Sequence, residues 1–580
     1  MKDSIPGQDG RTGAGFTILA TKEALFFLGA ALPLIVGLLF YLSASRIPGD
    51  LGDARFNMYI LEHGYRWMAG LDRSFWSAPF FFPAVNVVAY SDNLLGSMPV
   101  YAFFRELGKD RESSYQWWIA VSFILNYLSS FWVLRKWTLS LLGSAAGAYL
   151  FTFGLPVMSQ AEMHLQLIPR FMVPVGFYFW MRFLLEPSPK FFALSLGALL
   201  WQIYIGIYTG YFLGLFMAAT WAFHWISEYF RLESWSLRSI KIAFWDVLLR
   251  AWKSIVSLIL RPFIAYWIIV GLFLLGMLPL AVPYANAARS VGTRSWGEIS
   301  SMLPRIQSYF HDPESLLYGR EMTFGHNLPL PWEHMLFLGW VPILALVAFA
   351  VFLRFCTEEL NLRHYRILFG SIVIIYVLTL DIGSYSIYWV VAHLPGASAI
   401  RSITRMIVVM LFPIAAILGY LVTKGGNFFK RRSFRRGSSF LRISGMILVA
   451  AIVLFLVVDQ SSQLHSFDKE RSQARIIQME KKIRLVLEKE GGSGSDLKKI
   501  VIWVDRGKSS SFEIQIDAML ASQDLGIETV NGYSGNFPPG YGSVLSDLGV
   551  GKCGAFQHWI DSHKKDFEGR RILIVGATCP

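Results

Sequence analysis

The sequence predicts an α-helical polytopic membrane protein of about eleven spans with a small α/β region at its C-terminal end. Three observations lead there. Of 580 residues, 54% are hydrophobic, 16% aromatic and only 16% charged; soluble domains carry roughly 25% charged residues. Apolar runs near the roughly 20 residues that a helix needs to cross a bilayer recur along the chain. Beyond Asp459 the composition turns mixed and charged.

The apolar runs lie near 24–44, 116–134, 139–157, 166–183, 190–206, 211–228, 263–283, 335–353, 366–381, 406–422 and 441–458. The pair within 190–228 is joined at "YIGIYTGY", with almost no loop. The first run follows Lys22 and ends near "LSASR", which a cleavable signal peptide would share. It is longer than the apolar core of roughly 7–15 residues in such peptides, so it reads as an uncleaved span. Three cysteines are too few for a disulfide framework. Cys356 falls inside, and Cys553 and Cys579 fall outside, where oxidation to a pair is chemically open.

Lysine and arginine set the orientation. With the N-terminus inside, the inner loops hold Arg135 and Lys136, then Arg182 and Lys190, a basic stretch from Arg231 to Arg261, and Arg354 to Arg366. The last inner loop is "KGGNFFKRRSFRRGSSFLR". Short loops near 158–166 and 204–211 carry neither residue and fall outside. The N-terminus is therefore expected in the cytoplasm of a multi-pass cell or inner membrane protein, with the C-terminal end outside. The net charge of +13 then sits against anionic lipid on the inner face. That distribution argues against nucleic acid as a partner.

Three long segments fall outside: about 45–115, about 284–334, and everything after Asp459. The domain reading is 1–459 for the spans and their loops, and 460–580 for the tail. In the tail, residues 460–490 carry apolar positions at helical spacing, and "GGSGS" breaks the chain. "KKIVIWVDR" reads as a buried strand, "FEIQIDAMLASQDLG" as a helix, and "IETVNGYSG" as a strand and turn. "GAFQHWIDSHKKDF" reads as a helix and "RRILIVGA" as a last strand. This alternation suits a small α/β domain. There is no GxGxxG after a strand, hence no dinucleotide fingerprint. The loop "NGYSGNFPPGYG" reads as a structured turn, or as a platform against a sugar or the membrane-domain cavity.

Chemistry-bearing residues sit at the outer boundary. "GDLGDARF" places Asp50 and Asp53 just after the first span. An acid ahead of a helix is commonly its cap, and "ARFNMYILEHGYRWM" reads as a helix lying along the membrane surface on Phe56, Tyr59, Ile60 and Trp67. An acid at a membrane boundary is also costly and a functional candidate. Asp92 reads as a turn or cap. In "MSQAEMHLQLIPR", Glu162 and His164 form an E-x-H pair, which a strand-like stretch would aim one way. Carboxylate and imidazole suit a divalent metal or a phosphate, or simply a hydrogen-bonded histidine. In "DIGSYSIYWVVAHLPGASAIRSITRM", Arg401 and Arg405 are four apart, so one helical face would present both. Arginine recognises phosphate through forked hydrogen bonds, and headgroup contact is the plainer use.

The arrangement resembles the GT-C superfamily of membrane glycosyltransferases, including the polyprenyl-phosphate mannosyltransferase and aminoarabinose transferase groups. The features are a first span followed by "GDLGDARF", a long first outer loop, "AEMH" in the second, many spans and an outer C-terminal domain. The resemblance implies a GT-C-like fold and transfer of a sugar from a polyprenyl-phosphate donor to a glycan, lipid or protein acceptor, with inversion. It implies a base at Asp53 or Asp50, a second acidic motif at Glu162 and His164, and a divalent cation, Mg or Mn, as a possible cofactor. Arg401 and Arg405 are then candidates for the donor phosphate. The alternatives are a transporter or flippase of envelope lipids, an acyltransferase using His224 or His326, and a noncatalytic envelope-assembly protein. No internal repeat supports the transporter, and charges within the spans are few.

Overall fold

A computed structural model describes residues 31–137, 139–161, 163–232, 264–321, 324–325, 327–355, 362–394, 396–436, 439–490, 497, 499–505, 512–542 and 552–576. The chain is mainly helical. Helix α1 (Ala31–Tyr41) leads to strand β1 (Arg46–Pro48), α2 (Asp53–Met68) and α3 (Met98–Glu106). Then come α4 (Arg111–Lys136), α5 (Leu141–Phe153), α6 (Leu155–Ala161), α7 (Met172–Leu185), α8 (Pro189–Ile205) and α9 (Ile207–Leu232). After them follow α10 (Ile264–Val291), α11 (Trp296–Ser301), α12 (Trp340–Phe355), α13 (Leu362–Thr379), α14 (Tyr388–Ala392), α15 (Ile407–Arg436) and α16 (Ser439–Asp459). Among the described residues, five helical runs are long and apolar enough to cross a membrane: Arg111–Lys136, Leu141–Ala161, Ile264–Val291, Leu362–Thr379 and Ile403–Arg432. Shorter apolar helices occupy Ala31–Tyr41, Pro189–Ile205, Trp340–Phe355 and Ile443–Asp459.

Local chemistry starts these helices. Asp110, Ser140 and Ser188 each accept a hydrogen bond from a first-turn backbone N–H of α4, α5 and α8. The centre of the bundle is α5 against α15. A Cβ on Gly143 would meet the Gly419 carbonyl oxygen, and one on Gly147 would come within 2.7 Å of the Ala415 oxygen. Only small residues let two helices approach so closely. Helix α10 is the opposite case, with Trp267, Leu272 and Leu275 more than half exposed, as a lipid-facing helix would be.

The tail holds β2 (Ser466–Asp468), α17 (Lys469–Lys489), β3 (Ile500–Val504), α18 (Phe512–Leu525), β4 (Glu528–Thr529), α19 (Lys552–Ser562), α20 (Lys564–Phe567) and β5 (Arg571–Val575). Its sheet is parallel with order β4-β3-β5. "GGSGS" and Cys579 lie outside the described residues, as do Cys356 and His326.

The expected outer segments gather at one end of the bundle. β1 pairs antiparallel with β2, Ile47 opposite Phe467. Residues 79–82 lie along the free edge of β4: Thr529 N–H donates to Pro79 O (3.1 Å) and Phe82 N–H donates to Thr529 O (2.9 Å). Arg55, fully buried on α2, meets Asp517 of α18 at 2.6 Å, and Arg111 grips Asp524 at 2.8 and 3.0 Å. The second segment joins through Gln463 N–H to Glu314 O at 2.8 Å. One expectation changes here. Helix α2 does not lie open along a surface: Phe56, Tyr59 and Ile60 are buried, while Trp67 is exposed. The tail covers the face that the sequence left for lipid.

Candidate active site

Asp50 and Asp53 divide their work at the start of α2. Asp50 Oδ1 accepts from the backbone N–H of Gly52 (3.1 Å) and of Ala54 (3.3 Å). It therefore satisfies a donor that the first turn of α2 would otherwise leave unpaired. Asp53 is the first helical residue and makes no cap bond of its own. Its carboxylate is free for other partners, at the end of a helix that favours negative charge. Tyr533, from the tail, donates its hydroxyl to Asp53 Oδ1 at 2.5 Å. His164 Nδ1 stands 3.3 Å from Asp53 Oδ2, close enough for an ion pair but off the line of a straight hydrogen bond.

Behind His164 is an arginine–carboxylate pair. Arg405 donates to Glu333 through Nε (3.3 Å) and Nη2 (2.8 Å), and its Nη2 also lies 2.9 Å from His164 Nε2. The guanidinium rests over the Tyr208 ring, 4.9 Å from its centroid. Glu333 Oε1 is 3.3 Å from His164 Nε2. When Nε2 accepts from Arg405, the ring proton sits on Nδ1, facing Asp53. When His164 is doubly protonated, Nε2 donates to Glu333 instead.

The electrostatics follow this geometry. Burial alone would raise Asp53, but His164, the Tyr533 hydroxyl and the field of Arg405 bring it below the ordinary carboxylate range. Asp50 moves the other way, raised by burial and by Asp53. Burial is likewise outweighed at Glu333, which Arg405 and His164 hold well below its usual value. For His164, burial and Arg405 push down, yet Glu333 and Asp53 leave it raised. Two neighbouring acids whose environments drive them apart mark an assignment of roles.

A second basic pair lies on the other side of the tail loop. Arg401 Nη1 and Arg294 Nη1 both reach Glu298 Oε1 at 2.9 Å. Two guanidiniums share one carboxylate oxygen, leaving one positive charge in excess, and their side chains are 31% and 22% exposed. Arg294 Nη2 also donates to Gly535 O at 2.9 Å. Burial and the neighbouring Arg401 lower Arg294.

Several expectations are corrected. Arg401 and Arg405 do not share a helical face. Arg401 precedes the 3-10 turn Ile403–Met406, so it turns to Glu298 while Arg405 turns inward to Glu333. His164 is not on a strand: α6 ends at Ala161, and His164 stands just before a 3-10 turn at Leu165–Leu167. Glu162 lies outside the described residues. Asp92, by contrast, is the cap that the sequence suggested, its Oδ1 accepting from Ile207 N–H at 2.7 Å where Gly206 separates α8 from α9. Tyr533, Glu333 and Glu298 were not legible as site residues. The aromatic Gly/Pro loop was a signal for Tyr533, and an acid within the apolar "PLPWEHMLF" one for Glu333.

Glu162, the carboxylate of the expected metal motif, is outside the donor set that can be described. Among the described residues no three His, Cys, Asp or Glu side chains are grouped to hold one. Arg405 already bonds both oxygens of Glu333 and faces His164 Nε2.

No family model matches the sequence, and no curated protein does. Solved structures do. The archaeal oligosaccharyltransferase AglB from Archaeoglobus fulgidus, in complex with an inhibitory peptide and a dolichol-phosphate, matches 95% of this chain and 69% of its own, with TM-score 0.48 and 9% identity. An Archaeoglobus fulgidus oligosaccharyltransferase tethered to an acceptor peptide containing the NVT sequon matches 88% of this chain and 64% of its own, with TM-score 0.46 and 9% identity.

Proposed function

We propose that the chain is a membrane glycosyltransferase that moves a sugar from a polyprenyl-phosphate donor to an extracytoplasmic glycan, lipid or protein acceptor. The observation that supports this most is Asp53: an ionised carboxylate at a helix N-terminus, held on one oxygen by Tyr533 and faced on the other by His164. The tail loop that brings Tyr533 also touches the Arg294–Arg401 pair through Gly535.

The chemistry suits these parts. The acceptor hydroxyl gives its proton to Asp53 as its oxygen attacks the anomeric carbon. The bond from that carbon to the phosphate oxygen breaks, and the electron pair leaves with the phosphate. One displacement inverts the anomeric centre. Asp53 retains lone pairs beyond those that Tyr533 and His164 use, so an acceptor O–H can still be received. A positioned carboxylate contributes roughly 10²–10⁴-fold as a general base. The leaving phosphate needs positive charge rather than a proton, and the Arg294–Arg401 pair has one charge in excess. Arg405, saturated by Glu333, acts at one remove by holding His164. Asp50 secures the turn of α2 that carries the base. No step here runs through a metal. The same reading places the N-terminus in the cytoplasm and the assembled end outside, with the bundle of spans holding the prenyl chain.

The test is turnover by Asp53→Asn in proteoliposomes, read as polyprenyl phosphate released from a panel of polyprenyl-phosphate sugars. Collapse of turnover with retained donor binding supports the reading. Full turnover in a folded variant overturns it.

A further inference from the structure

We propose that Tyr533 is a positioning residue for Asp53, and that the tail loop from Asn531 to Tyr541 completes the active site. This rests on Asp53 being the base, but the contact itself can be tested without a donor. The loop is built to hold one geometry. The Asn531 side chain accepts from Val504 N–H (2.7 Å), donates to Val504 O (2.9 Å) and donates to Gln515 (2.8 Å), pinning the loop to the end of β3. Gly532 follows with no side chain because the Phe81 ring fills the space that a Cβ would take. That close approach carries Tyr533 between Phe56 of α2 and Phe512 of α18, with ring centroids at 5.8 and 5.6 Å. Further on, Gly535 O accepts from Arg294, and Asn536 donates to Tyr90 O at 3.1 Å. Phe81 closes against Tyr541 at 4.7 Å. One loop thus ties the acid at one side to the arginine pair at the other.

The physical consequence falls on Asp53. With Tyr533 on Oδ1 and His164 on Oδ2, the plane of the carboxylate is set from two directions. The hydroxyl also stabilises the ionised form, because a carboxylate accepts its hydrogen bond better than a carboxylic acid does. The other groups that act on Asp53 are Asp50 across the turn, Arg405 ahead of α15 and Tyr115 of α4. None of these belongs to the tail, so removing the Tyr533 hydroxyl leaves all of them in place.

The experiment is carbodiimide labelling of the purified full chain in lipid nanodiscs across a pH series, with modification of Asp53 quantified by peptide mass spectrometry. Carbodiimides attack the protonated carboxyl, so the midpoint of the labelling curve reports its ionisation. In Tyr533→Phe the Asp53 midpoint should rise by about one pH unit, a tenfold change in proton affinity, while that of Asp50 stays. An unmoved Asp53 midpoint in a variant that melts like the wild type overturns the proposal. An equal rise at both acids, a general loosening, overturns it as well. Should Tyr533→Phe fail to fold, a fluorinated tyrosine placed at 533 keeps the shape and strengthens the donor. The Asp53 midpoint must then fall, and no change refutes the contact. Labelling consumes no sugar donor, so a shifted midpoint in a chain that transfers no sugar would leave the Tyr533–Asp53 contact standing while the glycosyltransferase reading, and with it the loop's part in an active site, fell.

Discussion

Replacing Asp53 with asparagine removes basicity while keeping shape, and the surroundings show why the fold should tolerate it. The new amide oxygen can still accept the Tyr533 hydroxyl at the position of Oδ1, 2.5 Å away. The amide N–H then faces His164 Nδ1, which must present a bare nitrogen. Its proton moves to Nε2, where Glu333 Oε1 waits at 3.3 Å, and Arg405 gives up its contact with Nε2 while keeping Glu333. No buried polar group is stranded, so destabilisation should stay small. Asp53→Ala is different: it strands the Tyr533 hydroxyl and His164 Nδ1, at about 1–3 kcal/mol each. Turnover should fall by about 10²–10⁴ in Asp53→Asn, equivalent to about 3–5 kcal/mol of lost transition-state stabilisation. Asp53 is depressed in the folded protein. Its contribution to stability is therefore present above the unfolded value of about 3.9 and lost as pH falls through the lower folded value. The acid limb of turnover should lie below ordinary carboxylate titration and vanish in the variant. The assay is release of polyprenyl phosphate across a pH series, paired with donor binding and thermal unfolding. Near-normal turnover in Asp53→Asn with collapse in Asp50→Asn would exchange the two acids. Normal turnover in both would leave them as helix-start residues and remove the proposed mechanism.

Arg401→Ala and Arg294→Ala should each weaken donor binding about tenfold, the value of one charge-assisted bond; Arg405→Ala should instead lower the melting temperature, because it leaves the buried Glu333 with His164 as its remaining partner, at a cost up to the roughly 3–5 kcal/mol of a broken buried pair. Asp312 is buried, receives the Ser159 hydroxyl at 2.7 and 2.9 Å, and is pushed up to about 8 by burial. The folded chain thus keeps a proton that the unfolded chain releases, so stability is full below the unfolded value and is lost as pH rises towards 8; Asp312→Asn should remove that loss, seen as a flatter melting temperature between pH 5 and 8, roughly the window of the shift. Turnover should survive a chelator, since Arg405 already supplies the positive charge between Glu333 and His164; its loss, restored by Mg or Mn, would direct attention to Glu162. A cysteine at the exposed Lys565 should react with an impermeant thiol reagent added outside intact cells, and reaction only after lysis would invert the topology.

The helical architecture was legible because a bilayer demands long apolar runs, and composition alone displays those. Asp50 and Asp53 were legible because ionised groups are rare and costly beside a membrane. Their division of labour was not, since whether an acid caps a helix or precedes it depends on a turn of three residues. The tail elements could be read from alternating strand and helix periods. Where the tail docks could not: Arg55 with Asp517, and Pro79 to Phe82 along β4, are pairings across more than four hundred residues. Local periodicity holds no record of such contacts. For the same reason the exposed face assigned to α2 proved to be an interior one. Arg401 and Arg405 show a different failure. Their spacing fits a helix, but α15 begins only at Ile407, so the rule of helical faces had no helix to act on.

The three-residue separation of the acids has a geometric meaning. A carboxylate that caps a helix spends its lone pairs on backbone N–H groups and points along the axis into the first turn. It is poorly placed to meet a substrate. A side chain at the first helical position has no such obligation, and helical Cβ atoms tilt back towards the N-terminus. It can reach partners lying ahead of the helix while still feeling the positive end of the dipole. Asp50 does the first task through Ala54 N–H, which leaves Asp53 for the second. The His164–Arg405–Glu333 assembly then fixes Asp53 from the bundle side, and Tyr533 fixes it from the tail side. Rigidity at the base therefore depends on residues drawn from four separated parts of the chain. That is the arrangement expected if the carboxylate must wait in one orientation for a mobile lipid donor and a diffusing acceptor.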